Sequence, residues 1–345
     1  MLNKRFSVTI SDKIKKFKKV VKVDSDKSIS IRTFLIGAIS HNISKVKNVL
    51  ESDDVFSTIK CLKKLGIKIK KIKPGSYAIF GQGLGSLFAK KNTELNFGNS
   101  GTLARLLIGI LATTPNLNLK IRGDQSLNKR NMKELIDLMS MFGAEFFPKN
   151  KLNFPIKIIS STMPVGINYK SESSAQLKSA VILAGLNSYG TSTITEKKNS
   201  RNHTENILIK NTKAIKIINK KEKIIKIFGK NYLRPLNIDV PTDPSAAAFF
   251  TALTILNKNS FLIIKNVGLN PTRIGFYELL RKHGAKIIFK NIKIKNNEPV
   301  GDIQVSSSKI KAIQAKKDYY VKATDEYPIM FVIAALSKGI SNFNG

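Results

Sequence analysis

The sequence predicts an α/β protein of two domains, built from a repeated unit that combines one buried helix, one amphipathic helix and four strands. Three observations support this fold class. Apolar stretches with small polar openings recur at nearly even spacing, glycine-terminated amphipathic helices alternate with them, and the intervening strands alternate Lys with Ile. Self-similarity at a fixed period is typical of a repeated supersecondary unit.

The apolar stretches are the first element of the unit. They are separated by 72, 74, 71 and 81 residues and begin at Ser28, Ser100, Ser174, Ser245 and Glu326. Each is rich in Ala, Gly and Ser and apolar on most faces, which favours a buried, closely packed helix. A helix that starts on small polar residues leaves free N–H groups at the positive end of its dipole. Each start is therefore either an anion site or an ordinary cap.

The second helix type is amphipathic and ends in glycine. The clear copies, each running into a strand, occupy 55–72, 132–147 and 276–289. Apolar residues fall there at helical spacing, and the glycine suits a C-terminal cap. A copy that lacks the closing glycine lies at 203–218, and residues 1–23 are predicted to form a strand pair.

Composition restricts the function class. The 345 residues carry a net charge of +36, but the lysines are spread over the chain and alternate with Ile, as on the solvated face of a strand. A basic nucleic-acid-binding protein is the alternative interpretation of this charge. The only cysteine, Cys61, lies on the apolar side of a helix, which favours a buried thiol in a reducing compartment such as the cytoplasm. No apolar run reaches membrane-spanning length.

Several polar groups stand at helix starts, where they are candidate anion ligands. Lys27 and Arg32 flank the start at Ser28, and Lys129-Arg130 are predicted to head a helix, where their charge opposes the dipole. Asp325 precedes the last buried helix, where it is either a cap or a general base. A crossing between domains is predicted near Pro241.

An ordered set of motifs runs from about Lys22 to Gly345, and the order is more specific than any single motif. The motifs are DKSISIR, LNFGNSGTLARLL, GDQSLNKRNMKEL, SSAQLKSAVILAGL, SRNHTE, VPTDPSAAAFF, LNPTRIG and TDEYPIM. This set resembles one family, that of 5-enolpyruvylshikimate-3-phosphate synthase, also called 3-phosphoshikimate 1-carboxyvinyltransferase.

The resemblance implies the two-domain enolpyruvyl transferase fold, an inside-out α/β barrel in which buried helices point their N-termini into a cleft. It implies a domain at 24–240 that carries most of the shikimate 3-phosphate site, and a second, discontinuous domain at 1–23 plus 241–345. The implied reaction moves the enolpyruvyl group of phosphoenolpyruvate to the 5-hydroxyl of shikimate 3-phosphate by addition and elimination. It belongs to chorismate and aromatic amino acid biosynthesis and uses no metal or cofactor. A cytoplasmic monomer with no nucleic-acid or membrane partner is expected.

The resemblance also assigns roles to residues of this chain. The catalytic pair is Lys27 and Asp325. The implied shikimate 3-phosphate ligands are Lys27, Ser28, Arg32, Ser174, Ala175, Gln176, Ser200, Arg201 and Asp325. The implied phosphoenolpyruvate ligands are Lys27, Asn99, Gly101, Arg130 and Gln176.

The chain departs from the family pattern at its end, since the family continues beyond the segment 341–345 with further basic and acidic motifs. We therefore expect an incomplete second domain that lacks its last unit, exposed apolar surface, and very weak or no turnover. Two alternatives share parts of the pattern. One is the enolpyruvyl transferase acting on a UDP-amino sugar, whose site cysteine lies in a mobile loop, and the other is a non-catalytic remnant that binds only shikimate 3-phosphate.

Overall fold

The computed structural model describes residues 7–344, which contain eleven α-helices and eighteen strands. The first strand is β1 (Lys18–Val21), and residues 7–23 contain no second strand. The predicted strand pair at 1–23 is therefore wrong for the described residues, because 7–17 form no strand. Residues 1–6 of that prediction lie outside the described part.

The first unit places a buried helix and an amphipathic helix on one sheet. Its elements are α1 (Lys27–Ile39), β2 (His41–Lys47), α2 (Asp53–Lys64), β3 (Lys68–Lys73) and β4 (Ser76–Gln82). The second unit has the same order with a leading strand and one short helix added. Its elements are β5 (Glu94–Asn96), α3 (Gly101–Thr113), β6 (Asn118–Arg122), α4 (Gln125–Asn128), α5 (Lys133–Met141), β7 (Glu145–Phe147) and β8 (Ile156–Ile159).

The third unit completes the first half of the molecule. Its elements are β9 (Asn168–Ser171), α6 (Ala175–Leu186), β10 (Thr191–Glu196), α7 (His203–Asn211), β11 (Ile215–Asn219) and β12 (Lys223–Phe228). The helix predicted within 203–218 thus ends at Asn211 and a strand follows.

The remaining elements form the second half. They are β13 (Asn237–Asp239), α8 (Pro244–Leu256), β14 (Phe261–Gly268), α9 (Gly275–Lys282), β15 (Lys286–Lys295), β16 (Glu298–Ser306), β17 (Gln314–Ala315), α10 (Lys317–Ala323), α11 (Tyr327–Ala335) and β18 (Asn342–Phe343). A 3-10 turn at Thr324–Glu326 joins the last two helices. The short helix α10 was not predicted from the sequence.

Four sheets share one topology: β13-β2-β4-β3, β5-β6-β8-β7, β9-β10-β12-β11 and β1-β14-β16-β15. In each, the first pair is parallel and the others are antiparallel. In the sheets of β5–β8 and β9–β12 the parallel pair flanks the buried helix in sequence, as a strand–helix–strand crossover requires. The strand pair β17 and β18 forms a separate small sheet.

The chain exchanges strands between its two halves. Strand β1 pairs with β14, whereas β13 returns to pair with β2. The two connecting segments run side by side, with Asp26 N donating to Pro241 O and Asp243 N donating to Asp24 O, each at 2.8 Å. Helices α1 and α8 begin directly after these segments, so their N-termini lie at the junction.

Two hydrophobic cores flank this junction. One core spans Ile29 to Val240. The other spans Ala247 to Ile333, and apolar side chains from residues 17–23 pack against it. The domain boundaries at 24–240 and at 1–23 plus 241–345 remain a proposal, which these separate cores support. The predicted two-domain α/β fold is confirmed.

The second half exposes an apolar face on its two buried-type helices. The exposed side chains include Phe249 (59%) on α8 and Phe331 (50%) on α11, with Phe250, Leu253, Val332 and Leu336 beside them. The predicted exposure of apolar surface is confirmed. None of the helices in the described chain is long and apolar enough to cross a membrane.

The alternating Lys-Ile strands follow their prediction only in part. Ile225 and Ile227 of β12 are fully buried, as predicted. Ile72 of β3 and Ile294 of β15 are instead 60% and 69% exposed. Alternation shows which face a side chain takes, but it does not show how far a helix covers the strand.

Candidate functional site

The N-termini of α1, α3 and α6 contribute to one cavity of about 220 Å³ beside the 3-10 turn. Eight of the nine predicted shikimate 3-phosphate ligands line it: Ser28, Arg32, Ser174, Ala175, Gln176, Ser200, Arg201 and Asp325. Their sequence separation reaches almost the whole described chain, so only the tertiary fold brings them together. The cavity therefore combines free helix N-termini with two guanidinium groups.

Local capping explains how the helix starts present their side chains. Asp26, not Ser28, caps α1 by accepting from Ile29 N at 2.8 Å, so the helix begins at Lys27 and not at Ser28 as predicted. The Ser28 hydroxyl is therefore not needed for capping. Ser174 caps α6 by accepting from Leu177 N at 3.3 Å, which fixes its hydroxyl at the cavity wall.

Arg32 is the most buried cation of the cavity, with 3% exposure. Its Nε donates to Thr204 Oγ1 at 2.8 Å and its Nη2 to Ser179 Oγ at 3.3 Å. Burial lowers the pKa of Arg32 to about 10, so the side chain stays charged at neutral pH. Within residues 7–344 it forms no ion pair with a carboxylate, and a buried guanidinium in that state favours an anionic ligand.

Arg201 and Asp325 meet across the cavity. Arg201 Nη2 lies 2.7 Å from Asp325 Oδ2, and their side chains are 20% and 48% exposed. Arg201 follows β10 in the first half of the chain, whereas Asp325 precedes α11 in the second. The pair therefore links the two halves at the candidate site.

Ser200 is held from beneath by a buried charge cluster. Its hydroxyl and its N–H donate to Glu196 Oε1 at 2.6 and 2.8 Å. Lys178 Nζ lies 2.9 Å from Glu196 Oε1 and 2.8 Å from Glu205 Oε1, and all three side chains are fully buried. Because the Ser200 hydroxyl already donates to Glu196, Arg201 is better placed than Ser200 to contact a phosphate.

Asn99, Gly101 and Arg130 form a neighbouring group. Arg130 Nη2 donates to Asn99 Oδ1 at 2.6 Å. A Cβ built on Gly101 would lie 2.9 Å from Arg130 Nη1 and 3.0 Å from Arg105 Nη1. Burial and the charge of Arg130 lower the pKa of Arg105. Two guanidiniums at a glycine helix start are suited to bind a second anion.

Gln176 connects this group to the cavity. Its Oε1 accepts from Arg105 Nη1 at 2.9 Å and its Nε2 donates to Thr102 Oγ1 at 3.1 Å. The structure therefore brings the predicted residues together in two adjacent subsites, with Gln176 between them.

Two predicted positions differ in detail from the structure. Lys129 and Arg130 follow the short helix α4 instead of heading a helix, since α5 begins at Lys133. A cation at a helix C-terminus is favourable, so the dipole gives no reason to expect an anion there. Lys27 lies outside the cavity lining, with Nζ 3.2 Å from Asp54 Oδ2 and its side chain 49% exposed.

Three residues of the site were missed from the sequence: His203, Arg105 and Arg273. His203 lines the cavity, is 3% exposed, and lies with Nδ1 2.8 Å from Glu298 Oε1. Arg273 Nη1 lies 3.9 Å from Asp325 Oδ2. Each stands within one of the eight motifs given above, but no local pattern shows which side chain of a motif faces a cleft.

The comparisons with known proteins agree with the motif order. The sequence profile of EPSP synthase (3-phosphoshikimate 1-carboxyvinyltransferase) matches residues 11–345. The chain is 37% identical over 327 residues to the 3-phosphoshikimate 1-carboxyvinyltransferase of Paramagnetospirillum magneticum, covering 94% of this chain and 73% of that protein. It is 37% identical over 329 residues to the protein of that name from Bacillus subtilis, covering 95% and 76%.

Solved structures give the same result. The EPSP synthase of Acinetobacter baumannii superposes with a TM-score of 0.84 at 34% identity, covering 96% of this chain and 74% of that one. The enolpyruvyl transferase NikO of Streptomyces tendae shares the fold, with a TM-score of 0.69 at 13% identity. The chain belongs to the EPSP synthase (3-phosphoshikimate 1-carboxyvinyltransferase) family.

Proposed function

We propose that this chain transfers the enolpyruvyl group of phosphoenolpyruvate to the 5-hydroxyl of shikimate 3-phosphate in aromatic amino acid biosynthesis. The observation that carries the proposal is the cavity in which Arg32 is buried without a carboxylate partner among the described residues, beside Arg201 and the N-terminus of α6. A doubly charged phosphate supplies the anion that this arrangement favours. Family membership supplies the reaction class.

In this proposal the two subsites divide the substrates. Ser174, Ala175, Arg32 and Arg201 receive the 3-phosphate, with Ser200 beside them, while Ser28 and Gln176 contact the shikimate ring. Asn99, Gly101 and Arg130 receive phosphoenolpyruvate next to Gln176. The contacts of Gln176 with Arg105 and Thr102 support this division, because they lie between the two groups. Holding both substrates side by side converts a bimolecular step into a local one.

The chemistry then needs proton transfers in the cleft. Asp325 takes the proton of the 5-hydroxyl as that oxygen attacks C2 of phosphoenolpyruvate, and the C3 methylene is protonated to a methyl group. Loss of a proton from that methyl group expels phosphate and restores the vinyl double bond. Lys27, released from Asp54, assists proton transfer and contacts both substrates. Proton transfer by positioned side chains contributes about 10²–10⁴ to the rate of such a step.

The alternatives are less well supported. Cys61 is 1% exposed, donates to Asn96 O at 3.4 Å, and burial raises the pKa of its thiol to about 12. It is therefore unlike a cysteine in the mobile loop of a UDP-amino-sugar transferase. The same buried thiol supports a reducing, cytoplasmic location. The exposed lysines are distributed over several sheets, which gives little support for a nucleic-acid partner.

The test is turnover followed by ³¹P NMR with both substrates present. We expect slow consumption of phosphoenolpyruvate with release of inorganic phosphate, in keeping with the very weak turnover expected from the sequence, and we expect Asp325→Asn to lower that rate by about 10²-fold or more. Saturable binding of shikimate 3-phosphate without turnover would favour the non-catalytic alternative. Failure to bind shikimate 3-phosphate would contradict the proposal as a whole.

A further inference from the structure

We propose that Arg201 and Asp325 mask each other, and that the substrate phosphate releases Asp325 by taking its place on Arg201. The inference rests on the proposed function and adds a rule of substrate selection to it. Asp325 becomes available to a substrate hydroxyl only when a phosphorylated substrate occupies the cavity. Arg201 is then a specificity-determining residue as well as a phosphate ligand.

The first observation is the pair itself. Arg201 Nη2 and Asp325 Oδ2 are 2.7 Å apart, and both side chains line the same cavity. The candidate base is therefore in direct contact with the candidate phosphate ligand. Asp325 Oδ2 and Arg201 Nη2 become available to a substrate when this contact opens.

The second observation concerns which partner Arg201 prefers. Arg201 shares the cavity with Arg32, and its positive charge contributes to the lowered pKa of Arg32. A phosphate dianion placed between the two guanidiniums interacts with both, whereas the half-exposed Asp325 carboxylate pairs with Arg201 and, within residues 7–344, not with Arg32. Guanidinium–phosphate contacts are also frequently bidentate. Exchange of the carboxylate for phosphate is therefore favourable.

The third observation is that the neighbours of the pair are fixed. The loop before Arg201 is held by Glu196, which accepts from both Ser200 N and Ser200 Oγ. Arg273, 3% exposed, lies 3.9 Å from the same Asp325 oxygen and donates to Asp243 Oδ1 at 3.1 Å and to Ser245 Oγ at 2.8 Å. When the contact between Arg201 and Asp325 opens, the Asp325 carboxylate is released from Arg201 but stays near Arg273 at the cavity edge.

This arrangement has a consequence for shikimate without a phosphate. Such a ligand must separate Arg201 from Asp325 without replacing the lost contact. Removing the Arg201 side chain should then strengthen the binding of shikimate and weaken the binding of shikimate 3-phosphate. A residue that served only as a phosphate ligand would affect shikimate 3-phosphate alone.

The experiment compares the full chain with Arg201→Ala by ligand-observed NMR titration. We expect Arg201→Ala to weaken shikimate 3-phosphate binding by about 10- to 100-fold, as for loss of a charged hydrogen bond. We expect the same variant to tighten shikimate binding by about two- to fivefold, the value of a partly exposed ion pair. Inorganic phosphate should tighten shikimate binding to the wild type but not to Arg201→Ala.

The second variant, Asp325→Asn, removes the mask from the other side. It should abolish the effect of inorganic phosphate on shikimate binding, and circular dichroism checks that both variants fold. Unchanged or weaker shikimate binding in Arg201→Ala, with tight shikimate 3-phosphate binding in the wild type, would overturn this inference alone. A wild type that binds neither ligand would overturn the proposed function and this inference together.

Discussion

At the scale of single residues, what holds each cation at the site decides its role. Arg32 is held by hydroxyl groups of Thr204 and Ser179, Arg201 by the carboxylate of Asp325, and Arg130 by the amide of Asn99. Arg32 therefore has no carboxylate partner within residues 7–344 to release before it binds a substrate, whereas Arg201 must first release Asp325. The residue types were predictable from the motifs. Their partners were not, since most of them lie tens of residues or more away in sequence.

Gly101→Ala tests the neighbouring subsite. Its new Cβ would lie 2.9 Å from Arg130 Nη1 and 3.0 Å from Arg105 Nη1, so both guanidiniums must shift. We expect phosphoenolpyruvate affinity, measured by calorimetry with shikimate 3-phosphate saturating, to fall about tenfold or more. The affinity for shikimate 3-phosphate itself should stay within about twofold, because the cavity is unchanged. Equal losses for both ligands would argue against two separate subsites.

Glu51 provides a pH-dependent contribution to stability away from the site. Hydrogen bonds from Tyr77 OH at 2.6 Å, Lys71 Nζ and Gly75 N lower its pKa to about 2. Because this lies below the unfolded value of 4.5, the stabilisation is complete above pH 4.5 and is lost as the pH falls towards 2. The carboxylate is partly exposed, so we expect about 1 kcal/mol at pH 7.

Urea unfolding of Glu51→Gln at pH 7 and pH 3 measures this contribution. The variant should be less stable at pH 7 and should lose less stability than the wild type on acidification. The control Glu145→Gln removes an exposed pair with Lys149 at 2.9 Å and should change stability by only a few tenths of a kcal/mol. Parallel pH dependence of wild type and Glu51→Gln would contradict the assignment.

At the scale of elements, the period of the sequence predicted the buried helices closely. The starts at Ser100, Ser174 and Ser245 agree within a residue or so with α3, α6 and α8. Hydrophobic period and cap residues are local signals, so they can be identified without a fold. The pairing of β13 with β2 could not be predicted, because its two strands lie some 190 residues apart and share no pattern.

The buried charge cluster at α6 is another element that the sequence did not show. Lys178→Met would leave Glu196 and Glu205 in the interior with the more distant Lys223 as their ion-pair partner, at 3.2 and 3.5 Å. We expect the free energy of unfolding, measured in urea, to fall by about 3–5 kcal/mol. The control Lys216→Met on the exposed side of β11 should stay within about 0.5 kcal/mol. Similar effects at the two positions would mean that the cluster contributes no more than a surface charge.

At the scale of the whole molecule, two cores meet at a junction where the chain crosses twice, and the candidate site lies beside it. The two-domain α/β class followed from the repeat, since a unit that recurs needs neighbours to bury its helices. The size and shape of the cleft did not follow, because they depend on how the halves pack. An exposed apolar face such as that of α8 and α11 is unusual on a protein surface.

That face predicts self-association. The double variant Phe249→Ser/Leu336→Ser removes side chains that are 59% and 68% exposed. We expect less association in sedimentation velocity and less binding of a hydrophobic dye, with the unfolding free energy within about 0.5 kcal/mol of wild type. Met163→Ser, at an exposed residue outside the face, should change neither readout. If the double variant associates as the wild type does, this face is not responsible for the association. A wild type that does not associate would instead agree with the monomer expected from the sequence.

The most direct test of the central claim is calorimetric titration of shikimate 3-phosphate into this chain at low and moderate salt. The account predicts saturable binding that Arg32→Ala abolishes, that Lys27→Ala weakens, and that the exposed control Arg234→Ala leaves within about twofold. No binding by a folded wild type, or equal binding by wild type and Arg32→Ala, would contradict the claim that this cavity is a shikimate 3-phosphate site.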